Sequence, residues 1–93
     1  MVGTMNKFKI IWSSESKKDL KEIKNNVSRS KLKNITIAPK QIIFGEQFQI
    51  DEYRVDCRRI IEGNYKILYQ FKGDEIRIIK IFNSLHNPIN SLL

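Results

Sequence analysis

Two glycine-centred turns set around one alternating segment constrain this chain more than any other feature. Glu62-Gly63-Asn64 and Lys72-Gly73-Asp74 bracket a stretch in which Tyr65, Ile67, Tyr69 and Phe71 alternate with Lys66, Leu68 and Gln70. A two-residue period puts the first set on one face of a strand and the second on the other. Glycine beside Asn or Asp supplies the positive φ that tight hairpins need. The segment therefore reads as the middle strand of an antiparallel meander. Before it, a strand carrying Val55, Cys57, Ile60 and Ile61 ends at Glu62. After it, Glu75 to Phe82 is nearly continuous in Ile, the pattern of a central strand covered on both faces.

The first half has another rhythm. Phe8, Ile10 and Trp12 point one way and Lys7 and Lys9 the other, which predicts a half-buried strand over Lys7 to Trp12. Ser13 or Ser14 can cap a helix running from about Glu15 to Val27, with Leu20, Ile23 and Val27 as its buried stripe. Leu32, Ile35 and Ala38 then share a helical face, and Pro39 forces a stop, so a short second helix is expected from about Ser30 to Ile37. Gln41 to Ile50 reads as a connector anchored by Ile42, Ile43, Phe44 and Phe48. Beyond Asn83 the chain leaves the sheet, with a turn at Asn87-Pro88. The order is β-α-(α)-β-β-β. It defines an α+β fold in which a helix, or a short two-helix hairpin, packs on a small twisted, mainly antiparallel sheet.

Ninety-three residues make one small domain, 1–93, with 1–5 read as flexible or vector-derived and Met5 as a candidate natural start. A single cysteine excludes an internal disulfide, and Cys57 with His86 cannot build a structural zinc site. No metal and no cofactor is expected. No stretch is long and apolar enough for a membrane span, and no signal pattern opens the chain. The expected setting is the cytoplasm.

Charge gives the first functional direction. Seventeen Lys and Arg against ten Asp and Glu leave a net charge of +7, which favours an acidic partner. Arg58 and Arg59 are adjacent on a strand and so point to opposite faces. Arg54, Lys66, Arg77 and Lys80 fall on the same meander, where they can form a phosphate-touching sheet surface or stand as ordinary solvated charges. Tyr65 and Tyr69 interleave with the bases, where they can stack on nucleotides, but they share a face with Ile67 and Phe71, which favours rings in the core. Cys57 reads as a packed thiol. His86 is the one imidazole, able to move protons near neutral pH, but no Ser-His-Asp or Cys-His arrangement surrounds it.

The C-terminal half also carries a family pattern. Gln47-Phe48-Gln49-Ile50-Asp51-Glu52-Tyr53-Arg54 runs into Cys57-Arg58-Arg59-Ile60-Ile61, then Asn64-Tyr65-Lys66-Ile67-Leu68-Tyr69. Ile76-Arg77-Ile78-Ile79-Lys80-Ile81-Phe82-Asn83 follows, and Asn87-Pro88 closes the set. With Ile11-Trp12-Ser13 and Asp19-Leu20-x-x-Ile23 in front, the chain resembles the RelE/ParE toxin superfamily of type II toxin–antitoxin modules. The resemblance implies a growth-inhibiting toxin neutralised by a cognate antitoxin, a small acidic protein. It implies one of two targets: mRNA, cleaved on the ribosome, or DNA gyrase, inhibited without cleavage. On the first branch Arg58 or Arg59, Lys66 and Arg77 would hold phosphate, with His86 as acid or base. Net charge alone also fits a non-catalytic nucleic-acid-binding module, and the shortness of Ser28 to Pro39 fits an inactive toxin.

Overall fold

The computed structural model describes residues 8–85. Their order is β1 (Lys9–Trp12), α1 (Ser14–Lys24), α2 (Arg29–Ile37), two short 3-10 turns (Ala38–Gln41 and Gly45–Gln47), β2 (Arg58–Glu62), β3 (Tyr65–Lys72) and β4 (Glu75–Asn83). The strands lie in the order β1-β4-β3-β2. β2, β3 and β4 form the antiparallel meander, and β1 joins the far side of β4 in parallel. The α+β architecture is the expected one, and the central position of β4 is the one its isoleucines indicate.

Local chemistry sets each element. Both hairpins close with two-residue loops in which Gly63 and Gly73 adopt φ of 60°, a backbone region that side chains disfavour. Ser13 caps α1 by accepting from the Ser16 backbone N–H at 3.0 Å, and Ser28 caps α2 by accepting from Lys31 N–H at 3.2 Å. Pro39 enters the 3-10 turn that ends α2, since it has no N–H to continue an α-helix.

The core lies between the helices and one face of the sheet. Ile35, Ile42, Ile67, Ile76 and Ile78 have no exposed surface, and Phe8, Ile10 and Trp12 at the start of the chain pack against them. Each buried isoleucine contributes about 1.5–3 kcal/mol through burial. A register shift at Leu68/Tyr69 leaves Ile79 of β4 without a cross-strand partner. This bulge changes the phase of the strand, so Ile76 and Ile78 before it and Ile81 after it reach the same core. The other face holds a smaller cluster, Cys57, Leu68 and Phe82, with Ile79 against it.

β1 ends at Trp12, and α1 continues its work along the edge of β4. Ser13 N–H donates to Ile78 O at 3.1 Å, Ser13 Oγ to Ile79 O at 3.0 Å, and the Ile81 N–H donates to Asp19 Oδ2 at 2.9 Å. An edge that would stand open is closed by Ser13 and by a side chain of the helix.

Three expectations need correction. β2 begins at Arg58, not near Val55; residues 51–57 form a strap of turns across the sheet, and Arg54 therefore sits on no strand. Ile43 and Phe44 do not anchor the connector, being 58% and 55% exposed, because Ile42 alone of the three turns inward there. The first helix ends at Lys24, not near Val27, with Asn25 as its C-cap. No helix among the described residues is long and apolar enough to cross a membrane.

Candidate functional site

The strap is organised by one carboxylate. Asp51 is fully buried, and its Oδ2 accepts the backbone N–H groups of Tyr53 at 2.9 Å and Arg54 at 2.8 Å. Its Oδ1 lies 2.9 Å from Nζ of Lys66 on β3. Burial pushes the Asp51 carboxyl up, but the bonds from Lys66 and the two backbone amides outweigh it, and the group sits below the ordinary carboxylate range. The two ends of the strap close on each other, Asp51 N–H donating to Cys57 O, and the residues just before it are laced to β2: Arg59 N–H donates to Gln49 O, and Ile50 bridges to Arg58.

Between this strap and the β3–β4 hairpin lies a groove of about 470 Å³. Ile50, Val55, Asp56 and Cys57 line one side, and Gln70, Phe71, Lys72 and Arg77 the other, with Arg58 and Tyr69 between them. Gln70 crosses it, donating from Nε2 to Asp56 O at 3.1 Å and Asp56 Oδ2 at 3.2 Å. Arg54 holds Asp56 in a forked pair at 2.8 and 3.1 Å, and this keeps the Asp56 carboxyl below its ordinary value. Burial pushes the Cys57 thiol up to about 11, so at neutral pH it is protonated and a poor nucleophile. Among the described residues no cluster of three His, Cys, Asp or Glu can hold a metal ion.

The structure separates the bases that the sequence groups together. Arg77 borders the groove with a side chain 59% exposed, and its pair with Glu75 is loose at 3.3 Å. Arg58 donates from Nη1 to Phe48 O at 2.8 Å and lies 5.8 Å above the Phe71 ring. Arg59 donates to Ile50 O at 3.1 Å and to Gln49 Oε1 at 3.0 Å. The two arginines thus serve opposite faces, as alternation requires. Lys66 is not on an open surface: the strap covers it, and its side chain is 7% exposed. Lys80 reaches Glu15 on α1 at 2.9 Å and is 15% exposed. Arg54 belongs to the strap, as described. His86 and the Asn87-Pro88 turn lie outside the described residues.

Asp51, Asp56, Gln70 and Lys72 do not stand out in the sequence as site residues. Asp51 carries a signal, since an Asp followed by an irregular stretch commonly bonds the backbone two and three residues on. Gln70 carries none, because its role depends on where the strap crosses.

No family model and no curated protein matches the sequence. Solved structures do match the architecture of a mixed four-stranded sheet backed by a helix pair. A chain described as "Chromosomal ParDE TA system from P. aeruginosa" superposes with a TM-score of 0.65 at 18% identity, covering 84% of this chain and 97% of that one. A copper-bound mutant toxin from Helicobacter pylori superposes with a TM-score of 0.56 at 21% identity, covering 82% of this chain and 93% of that one. The chain has the RelE/ParE-like toxin fold.

Proposed function

We propose that this chain is the toxin of a type II toxin–antitoxin pair, neutralised in the cytoplasm by a small acidic antitoxin, and that it cleaves mRNA on the ribosome. The observation that carries the reading is the groove, of nucleotide-accommodating size and bordered by Arg58, Lys72 and Arg77, on a fold shared with toxins. In this reading a ribose 2′-hydroxyl attacks the adjacent phosphorus. The P–O5′ bond breaks, leaving a 2′,3′-cyclic phosphate and a 5′-hydroxyl. Arg77 stabilises the added negative charge on the phosphoryl oxygens. Gln70 offers its amide to the substrate once its bond to Asp56 opens. His86 takes the 2′-hydroxyl proton or returns one to the leaving oxygen, the role the family resemblance implies for it. Lys66 and Lys80, which the sequence groups with the phosphate ligands, act in this reading by holding the strap and α1 in place.

A second reading, gyrase inhibition, draws support from the likeness to the ParDE chain. Induction in a heterologous bacterium separates the two. On the leading reading, growth stops with immediate loss of protein synthesis and broken transcripts, and co-expression of a small acidic frame abutting the gene restores growth. Arrest with an early DNA-damage response and intact transcripts supports gyrase inhibition. Normal growth at good soluble expression overturns both and favours an inactive toxin or a simple nucleic-acid-binding module.

A further inference from the structure

Much of the outward positive charge lies away from the groove, on the helical hairpin. Lys17, Lys21 and Lys24 are exposed on α1 and recur at i, i+4 and i+7, which lines them along one face. Arg29 and Lys33 are exposed at i and i+4 on α2. No ion pair among the described residues engages any of these side chains. The acids of α1 are drawn toward the sheet instead: Glu15 to Lys80 at 2.9 Å, and Asp19 to the Ile81 N–H at 2.9 Å. Of the helix acids, Glu22 alone stays exposed without such a tie.

The same face is free of apolar anchors. Among the described residues the exposed large hydrophobics are Ile11, Ile43, Phe44, Ile50, Tyr53, Val55, Ile61 and Leu85, and none lies on α1 or α2. A protein partner is gripped through buried aromatic and aliphatic anchors. A phosphate backbone needs only cations on flexible stems, spread over a surface and indifferent to sequence. The α1 bases run along the helix side, over about 10 Å, so they can meet a row of phosphates while the helix itself inserts into no groove.

We propose that the outer face of the α1–α2 hairpin docks on the phosphate backbone of double-helical RNA, as folded ribosomal RNA presents it. The face holds the protein on its target while the groove engages a separate single strand. The choice of RNA rests on the ribosome reading above; the charge and the missing apolar anchors do not.

The test measures binding of the full chain to an RNA duplex of about 16 base pairs, to the same duplex as DNA, and to a polyglutamate peptide. Lys17→Gln/Lys21→Gln/Lys24→Gln and Arg29→Gln/Lys33→Gln are compared with the parent over a salt series. Both variants should melt like the parent, since exposed charges contribute little to stability. The triple variant should bind RNA about tenfold or more weaker, with a salt slope lower by roughly one for each phosphate no longer neutralised. Unchanged RNA affinity in both variants overturns the proposal, whatever the chain does to translation. Tighter binding to polyglutamate than to RNA overturns it in favour of an acidic protein, and equal binding to DNA overturns the commitment to RNA. Weakened RNA binding in the variants, together with a parent that leaves translation intact, supports the docking face and removes the ribonuclease reading instead.

Discussion

Asp51 and Lys66 form a closed pair at 2.9 Å, and the pair joins two structures that neither residue could hold alone. The carboxylate shapes the strap through the Tyr53 and Arg54 amides while pinning it to β3. The ammonium also lies 5.2 Å from the Tyr53 ring and 5.8 Å from that of Phe82, so aromatic faces fill out its surroundings. The pair thus pins to β3 the strap whose Val55, Asp56 and Cys57 line one side of the groove.

Lys66→Met should therefore leave a buried, uncompensated carboxylate and cost about 3–5 kcal/mol in a urea titration. The double variant Lys66→Met/Asp51→Asn keeps an acceptor for the two amides and should recover most of that loss. The pair also sets an acid limb. The folded pKa of Asp51 lies below its unfolded value, so its contribution is present above the unfolded carboxyl pKa of about 3.9 and is lost as pH falls through the folded value. Parent and Asp51→Asn should diverge least below that point; a single Lys66→Met as stable as the parent would show that the pair does not bear on the strap.

Asp19 carries the opposite sign. Burial raises its pKa in the folded protein, against the bond from Ile81 N–H and the charge of Lys80, so folding is favoured as pH falls through that raised value. Asp19→Asn keeps an acceptor for Ile81 N–H and removes the desolvated charge. It should be at least as stable as the parent at neutral pH, whereas Asp19→Ala should lose about 1–3 kcal/mol by orphaning the amide. Equal stability of the two variants in thermal melts would mean the β4 edge does not need this cap.

Cys57 should be inert in the native protein. With its thiol pushed up to about 11 and its side chain buried, it should resist iodoacetamide at pH 7 and react far faster in denaturant. Fast native alkylation would place the strap in an open state.

If the proposed ribonuclease reading holds, Arg77→Ala should leave the melting temperature nearly unchanged while lowering transcript cleavage by an order of magnitude or more, because a charge-assisted contact is worth about 1.5–3 kcal/mol. Arg59→Ala should behave differently and lose some stability, since its guanidinium ties the strap at Ile50 and Gln49. If Arg77→Ala cleaves like the parent, the groove is not where phosphate binds.

The meander is readable in the sequence because its signals are local: two glycine turns and a period of two fix its two hairpins, though not the start of β2 at Arg58, which depends on where the strap ends. The helices are readable for the same reason, although the sequence leaves Ser13 and Ser14 both open as the first cap, does not single out Ser28 as the second, and carries the first helix past its end at Lys24. The parallel pairing of β1 with β4 is not, since nothing in Lys9–Trp12 names its neighbour. The site is legible only in part. Lys66 looks solvent-facing in the alternation, and only the distant Asp51 explains why a lysine is buried at that point. Alternation sets Arg58 and Arg59 on opposite faces, but each meets backbone oxygens of the connector, Phe48 for one and Ile50 for the other, which no strand pattern encodes. Gly45 is a similar case. It receives the Tyr69 hydroxyl at its carbonyl, 2.7 Å away, and any Cβ there would collide with Phe71, a constraint visible only once the connector is in place.

The strand order has a consequence for how the molecule comes into being. β4 lies between β1 and β3, yet it is the last of the four to be synthesised. During translation the first strand and both helices emerge with no sheet to pack on, because the strand that links β1 to the rest has not been made. Early pairing is confined to the β2–β3 hairpin, which is marginal alone. The long sequence separation between β1 and β4 makes closure a late step. A nascent chain of this kind acquires its groove, and whatever activity resides there, only after almost all of the described residues have left the ribosome, which gives the cell that makes it an interval without a finished site.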